Sequence, residues 1–150
     1  MRFQTVLAAG ASLLGLSSAR LVGVKVPSVI APGELISVNM TSENYIQSVQ
    51  DISVAFGLAP DASYGYSLGS VVGSQYLGPG NSNKPEDVPI LIFLPKDAPT
   101  GEQIFGASLY SLYGASSSPV VSNFNVTVTV GNETSSDYVS SEGFQSFSPY

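Results

Sequence analysis

Asn125-Val126-Thr127-Val128-Thr129-Val130 alternates polar and apolar side chains without a break. That is the period of a strand with one face in a core and the other in water. The same period runs through Ile36-Ser37-Val38-Asn39-Met40, with Ile36, Val38 and Met40 facing inward. It recurs between Gln50 and Leu58, where Ile52, Val54, Phe56 and Leu58 share the inward face. No segment carries a sustained apolar stripe of helical period. Seven β-rich runs are separated by Gly, Pro, Asn and Ser: Leu21–Val26, Glu34–Thr41, Gln50–Leu58, Ser70–Leu77, Val88–Leu94, Gln103–Tyr113 and Val120–Val130. Ala31-Pro32-Gly33 and the stretch 95–101 are turn signals between them. Seven short strands at this spacing predict an all-β fold, a single immunoglobulin-like antiparallel β-sandwich. Cysteine and tryptophan are both absent, so the disulfide and buried Trp of antibody domains have no counterpart here. A closed barrel is the alternative arrangement.

The first residues have the pattern of an export leader. Arg2 supplies a positive start, Val6 to Leu16 form a short apolar run, and Ser17-Ser18-Ala19 offers the small side chains that a signal peptidase needs. The run is shorter than the roughly 20 apolar residues of a membrane-spanning helix. No second apolar stretch near the C-terminus would direct a lipid anchor. The expected organisation is a signal peptide over 1–19, a β-sandwich over 20–131 and a flexible polar and aromatic tail over 132–150. The tail carries Tyr138, Phe144, Phe147 and Tyr150, more aromatics than a solvated end requires. Docking on a partner or on its own domain is the alternative to mobility. The expected location is extracellular. Three Asn-x-Thr triplets, at Asn39, Asn125 and Asn132, are glycosylation candidates, and the first two fall on the polar faces of predicted strands.

Composition removes whole classes of function. Without residues 1–19 the chain keeps four basic and eleven acidic side chains, a net charge of −7. Nucleic-acid binding needs a basic footprint, and anionic membrane surfaces attract the same basic residues. Neither partner is expected. The chain has no histidine and no cysteine. Serine triads therefore lack their usual base, thiol chemistry is excluded, and zinc loses its common ligands. The carboxylates Glu34, Glu43, Asp51, Glu86, Asp87, Asp97 and Glu102 mostly fall at turns or strand ends, where solvated acids are expected in any case. Glu86, Asp87 and Asp97 match no calcium-loop spacing. Gly65, Gly69 and Gly73 lack the strand-to-helix context of a phosphate loop. No enzyme, cofactor or metal site is expected.

Binding surfaces remain. Val88-Pro89-Ile90-Leu91-Ile92-Phe93-Leu94 is apolar on both faces, where a half-exposed strand should alternate. With Val88, Ile90, Ile92 and Leu94 in the core, Leu91 and Phe93 point outward. Either a loop or the tail covers them, or they form an exposed interface patch. Tyr64, Tyr66, Tyr76, Tyr110 and Tyr113 are the other candidates, since tyrosine suits surfaces that are part wet and part dry. A tyrosine-rich loop of this kind also fits a carbohydrate-binding or wall-structural module.

Several stretches carry a family likeness: Ser42-Glu-Asn-Tyr-Ile-Gln-Ser-Val-Gln-Asp-Ile-Ser-Val-Ala-Phe-Gly57, Ser67-Leu-Gly-Ser70, Tyr76-Leu-Gly-Pro79, Ala107-Ser-Leu-Tyr-Ser-Leu-Tyr-Gly114 and Asn123-Phe-Asn-Val-Thr-Val-Thr-Val-Gly131. With the leader, they resemble the fungal necrosis-inducing secreted proteins over nearly the whole mature chain. The resemblance implies an effector of plant-associated fungi. It further implies that such an effector blunts pattern-triggered immunity by binding and inhibiting host receptor-like kinases, and provokes host cell death. It implies no catalytic residue.

Overall fold

The computed structural model describes residues 18–149; residues 1–17 of the expected leader lie outside them. Ten strands form two sheets: β1 (Ala19–Pro27), β2 (Val29–Ile30), β3 (Leu35–Asn44), β4 (Val49–Ala59), β5 (Ser70–Tyr76), β6 (Val88–Phe93), β7 (Gly101–Tyr113), β8 (Ser118–Val130), β9 (Tyr138–Ser140) and β10 (Gln145–Phe147). The smaller sheet has the order β6-β3-β1-β9. The larger has the order β10-β8-β7-β4-β5, with β2 lying parallel to β8. The all-β, two-sheet expectation holds. Among the described residues the strands do not join into one closed barrel.

All seven predicted runs are strands, and three further strands exceed the expected count. β2, β9 and β10 are only two or three residues long, too short to display an alternation. The polar composition of 132–150 pointed to a mobile end, with docking on its own domain as the alternative; residues 132–149 strap one side of the molecule. β9 pairs with β1 and β10 with β8, so the tail adds an edge strand to each sheet. Backbone and side chain share the work: Ser28 N–H donates to the Asp137 carbonyl (2.8 Å) and Ser141 N–H to that of Val24 (2.9 Å), while the Ser135, Thr134 and Ser141 hydroxyls accept from the Val29, Ala31 and Val24 amides. Between the two strands Phe144 lays its ring on core Phe124, with centroids 5.6 Å apart. Gly143, at φ 68°, makes the turn just before that contact.

Inward faces of both sheets close on one core. Val24, Val26, Ile36, Val38, Met40, Ile90, Ile92 and Leu94 come from the smaller sheet and its margin. Val54, Phe56, Leu58, Phe105, Ala107, Leu109, Phe124, Val128 and Val130 come from the larger. Phe56 and Phe105 meet at its centre, 5.8 Å between centroids, and both are fully buried. The expected inward row of β4 fails at one place. Between Asp51 and Ser53 the register with β7 slips, so Ile52 is an extra residue opposite the pair Ser111 and Tyr110. A bulge of this type flips the side-chain alternation. It turns Asp51 inward and leaves Ile52 only half-buried.

With no covalent staple, the central aromatic pair has a measurable weight. Phe56→Ala should lower the unfolding free energy by about 3–5 kcal/mol, a large fraction of the roughly 5–15 kcal/mol of a domain. Denaturant midpoints check this, with Tyr76→Ala on the exposed face as the comparison expected to change little.

Candidate binding surfaces and the membership they support

The outer face of the smaller sheet carries an uncovered apolar patch. Strand β6 alternates cleanly: Val88, Ile90 and Ile92 are buried, while Leu91 and Phe93 are 65% and 54% exposed. In the antiparallel register of β3 with β6, Phe93 lies directly opposite Leu35 and Leu91 opposite Ser37. Leu35 is itself 60% exposed, so three large side chains form one contiguous patch. Neither strand of the tail covers it, since β9 and β10 lie at β1 and β8. Leu35 escaped sequence reasoning because it opens its strand beside Gly33 and Glu34, where no alternation is yet established.

The tyrosines occupy the opposite face. Register across the larger sheet places Tyr76 beside Ser53, Ser53 beside Tyr110, Tyr110 beside Val121 and Val121 beside Phe147. Tyr76, Tyr110 and Phe147 are all exposed along this row. Tyr66 belongs to the 61–69 segment, which folds back over one end of the same face, and is exposed. The Tyr64 side chain lies outside the described part of the structure. Tyr113 is not on this surface. It packs edge-to-face on Tyr45 (5.8 Å, 81°), whose ring also lies under the Arg20 guanidinium at 4.5 Å. The expected partner-binding residues thus divide between two outer faces, with Leu91 and Phe93 on one and Tyr66, Tyr76 and Tyr110 on the other.

Asp51 was expected among solvated acids and is instead 1% exposed. Its Oδ1 accepts from Ser111 Oγ (2.6 Å), and its backbone N–H donates to Ser82 Oγ (2.6 Å). Ser82 Oγ also donates to the Val49 carbonyl (2.9 Å). This cluster ties the 77–87 connection to β4 and β7, beside a groove of about 610 Å³ lined in part by Gln50, Tyr76, Pro79 and Lys84. Burial holds the Asp51 carboxyl above its ordinary 3.8, against the opposing hydrogen bonds from Ser111, Ser82 and the Asn83 amide. The oxygens are engaged by donors that position a loop, so the group acts as a clamp. Among the described residues no cluster of three or more His, Cys, Asp or Glu is placed to hold a metal ion.

The described residues form a two-sheet β domain with an uncovered apolar patch on one outer face and a buried carboxylate that clamps a loop. The chain belongs to the Nis1 family, whose model matches residues 17–129. It is 52% identical over 143 residues to necrosis-inducing secreted protein 1 of Colletotrichum orbiculare, covering 95% of this chain and 88% of that protein. To the protein of the same name from Colletotrichum higginsianum it is 48% identical over 143 residues, covering 95% and 99%. It is accordingly a secreted, extracellular fungal effector of the necrosis-inducing kind.

The raised Asp51 carboxyl carries a pH signature. Its folded value exceeds its unfolded one, so the charged form burdens the fold at neutral pH. That burden lifts as pH falls through the raised value towards the unfolded one. The stability difference between Asp51→Asn and the parent should therefore move in the parent's favour between pH 7 and about pH 4. Denaturant titrations of both proteins across that range check it; a pH-independent difference contradicts it.

Proposed function

We propose that this effector suppresses plant pattern-triggered immunity by binding host receptor-like kinases through the Leu35, Leu91 and Phe93 patch and inhibiting them, with host cell death as an outcome. Family membership supports the effector class. The observation that carries the binding mode is the exposure of three contiguous large apolar side chains on one sheet face. Burying a Leu or Phe fully is worth about 1.5–3 kcal/mol. Three such groups, each more than half exposed, can supply several kcal/mol on docking, and each 1.4 kcal/mol is tenfold in affinity. The strand order is read here as immunoglobulin-like. Its support is that β1, β3 and β6 share one sheet while β4, β5, β7 and β8 share the other, with β2 crossing to pair alongside β8. A fold without disulfides also suits a protein whose targets' kinase domains lie in reducing cytosol.

Purified protein should retain receptor-like kinase domains from plant extract. Leu91→Asp or Phe93→Asp should reduce that retention at least tenfold with an unchanged thermal midpoint, and Tyr76→Ala on the opposite face should not. Absence of kinase retention by the parent protein, or equal retention by the Asp variants, overturns the reading. Retention on chitin or glucan that is lost in Tyr66→Ala plus Tyr76→Ala would support a carbohydrate-binding module instead.

A further inference from the structure

The three Asn-x-Thr triplets are equivalent as sequence and unequal in the fold. Asn125 lies on the outer face of the larger sheet, opposite Gly106 of β7. Its Nδ2 donates to the carbonyl of Gly65 at 2.6 Å, across 60 residues of chain. That bond fastens the 61–69 segment down on the sheet. The seat beneath the segment is made of glycine: a side chain on Gly57 would place its Cβ 2.1 Å from the Leu68 carbonyl oxygen. At Gly106 the same atom would stand 3.2 Å from Leu68 Cδ2 and 3.4 Å from Asn125 Oδ1. The Asn125 amide is therefore a latch under a closed segment.

Asn39 and Asn132 stand elsewhere. Asn39 is on the outer face of the smaller sheet, between Lys25 of β1 and Pro89 of β6, the latter exposed. Asn132 is exposed in the turn that leaves β8. Neither amide is held by a hydrogen bond among the described residues.

We propose that the secreted protein carries N-linked glycans at Asn39 and Asn132 and none at Asn125. The reaction joins the amide nitrogen to the anomeric carbon of an oligosaccharide. The bond from that carbon to a lipid-linked diphosphate breaks, the diphosphate leaves, and the amide gives up one proton. Transfer occurs on an exported chain before it folds, so the fold selects among the products. Asn132 is exposed, and half-buried Asn39 carries no bond to an overlying segment, so sugar at either one leaves every strand intact. Sugar at Asn125 needs the volume that Gly65 to Leu68 fill, and would expel that segment and bare the Gly57 and Gly106 backbones.

The test is secretion of the full chain from a yeast host, followed by treatment with peptide N-glycosidase, which marks each occupied asparagine by deamidation. Peptide mass spectrometry should find the mark at positions 39 and 132 and not at 125. Asn39→Gln and Asn132→Gln should each remove one glycan from the intact mass. Thr127→Ala, which abolishes the middle triplet while keeping the Asn125 amide, should leave the glycan mass unchanged. A mark at 125, or loss of a glycan in Thr127→Ala, overturns the proposal, as does an unmarked 39 or 132. The latch has its own readout: Asn125→Ala should speed hydrogen exchange in 61–69 severalfold, and unchanged exchange there would remove the structural basis for excluding that site.

Discussion

Two sheets held face to face with no disulfide between them set the terms for the rest of this molecule. In the absence of cysteine, the inward rows of β3, β4, β6, β7 and β8 must supply the cohesion that small secreted domains often draw from disulfides. On the inner face of the larger sheet Phe56 packs on Phe105, and Phe144 of the C-terminal segment packs on Phe124. The C-terminal segment contributes in a different way. It adds backbone hydrogen bonds to an edge of each sheet and one ring to the core, so a stretch with little apolar content still spans both layers.

That demand on apolar side chains gives the outer patch its meaning. Leu35, Leu91 and Phe93 are large groups withheld from the core of a domain that has no disulfide to reinforce it. β6 carries an alternation of buried and exposed apolar residues in which only the buried half serves the fold. An exposed cluster of this kind on a monomer marks an interaction site more often than it marks indifference. The tyrosine row on the opposite face is more dilute. Ser53 separates Tyr76 from Tyr110, and phenolic groups rest in water at little cost.

Much of this was legible beforehand, and the reasons for the rest are physical. Alternation in Asn125–Val130 and Ile36–Met40 located strands and their faces because each is long enough to show a period. The double-sided apolar run of β6 pointed to Leu91 and Phe93 for the same reason. β2, β9 and β10 were illegible because two or three residues have no period, and because the tail is held by backbone pairing and by Ser and Thr hydroxyls on distant amides, partners that composition does not encode. Asp51 defeated the reading through one bulged residue at Ile52, which moved an acid from the expected solvent face to the core face. The difference between Asn125 and the other two triplets rests on a contact with Gly65, sixty residues away, and no local pattern announces it. Motif likeness identified the family, but the division of candidate residues between two opposite faces needed the register.

The C-terminal strands belong to the cooperative fold that holds this cysteine-free domain together. Native-state hydrogen exchange on residues 20–150 measures it directly. Hydrogen-bonded amides of β9 and β10 should open with free energies approaching those of β7 and β8, near the global unfolding value. Tail amides that exchange at unprotected rates while β7 and β8 stay closed would contradict it.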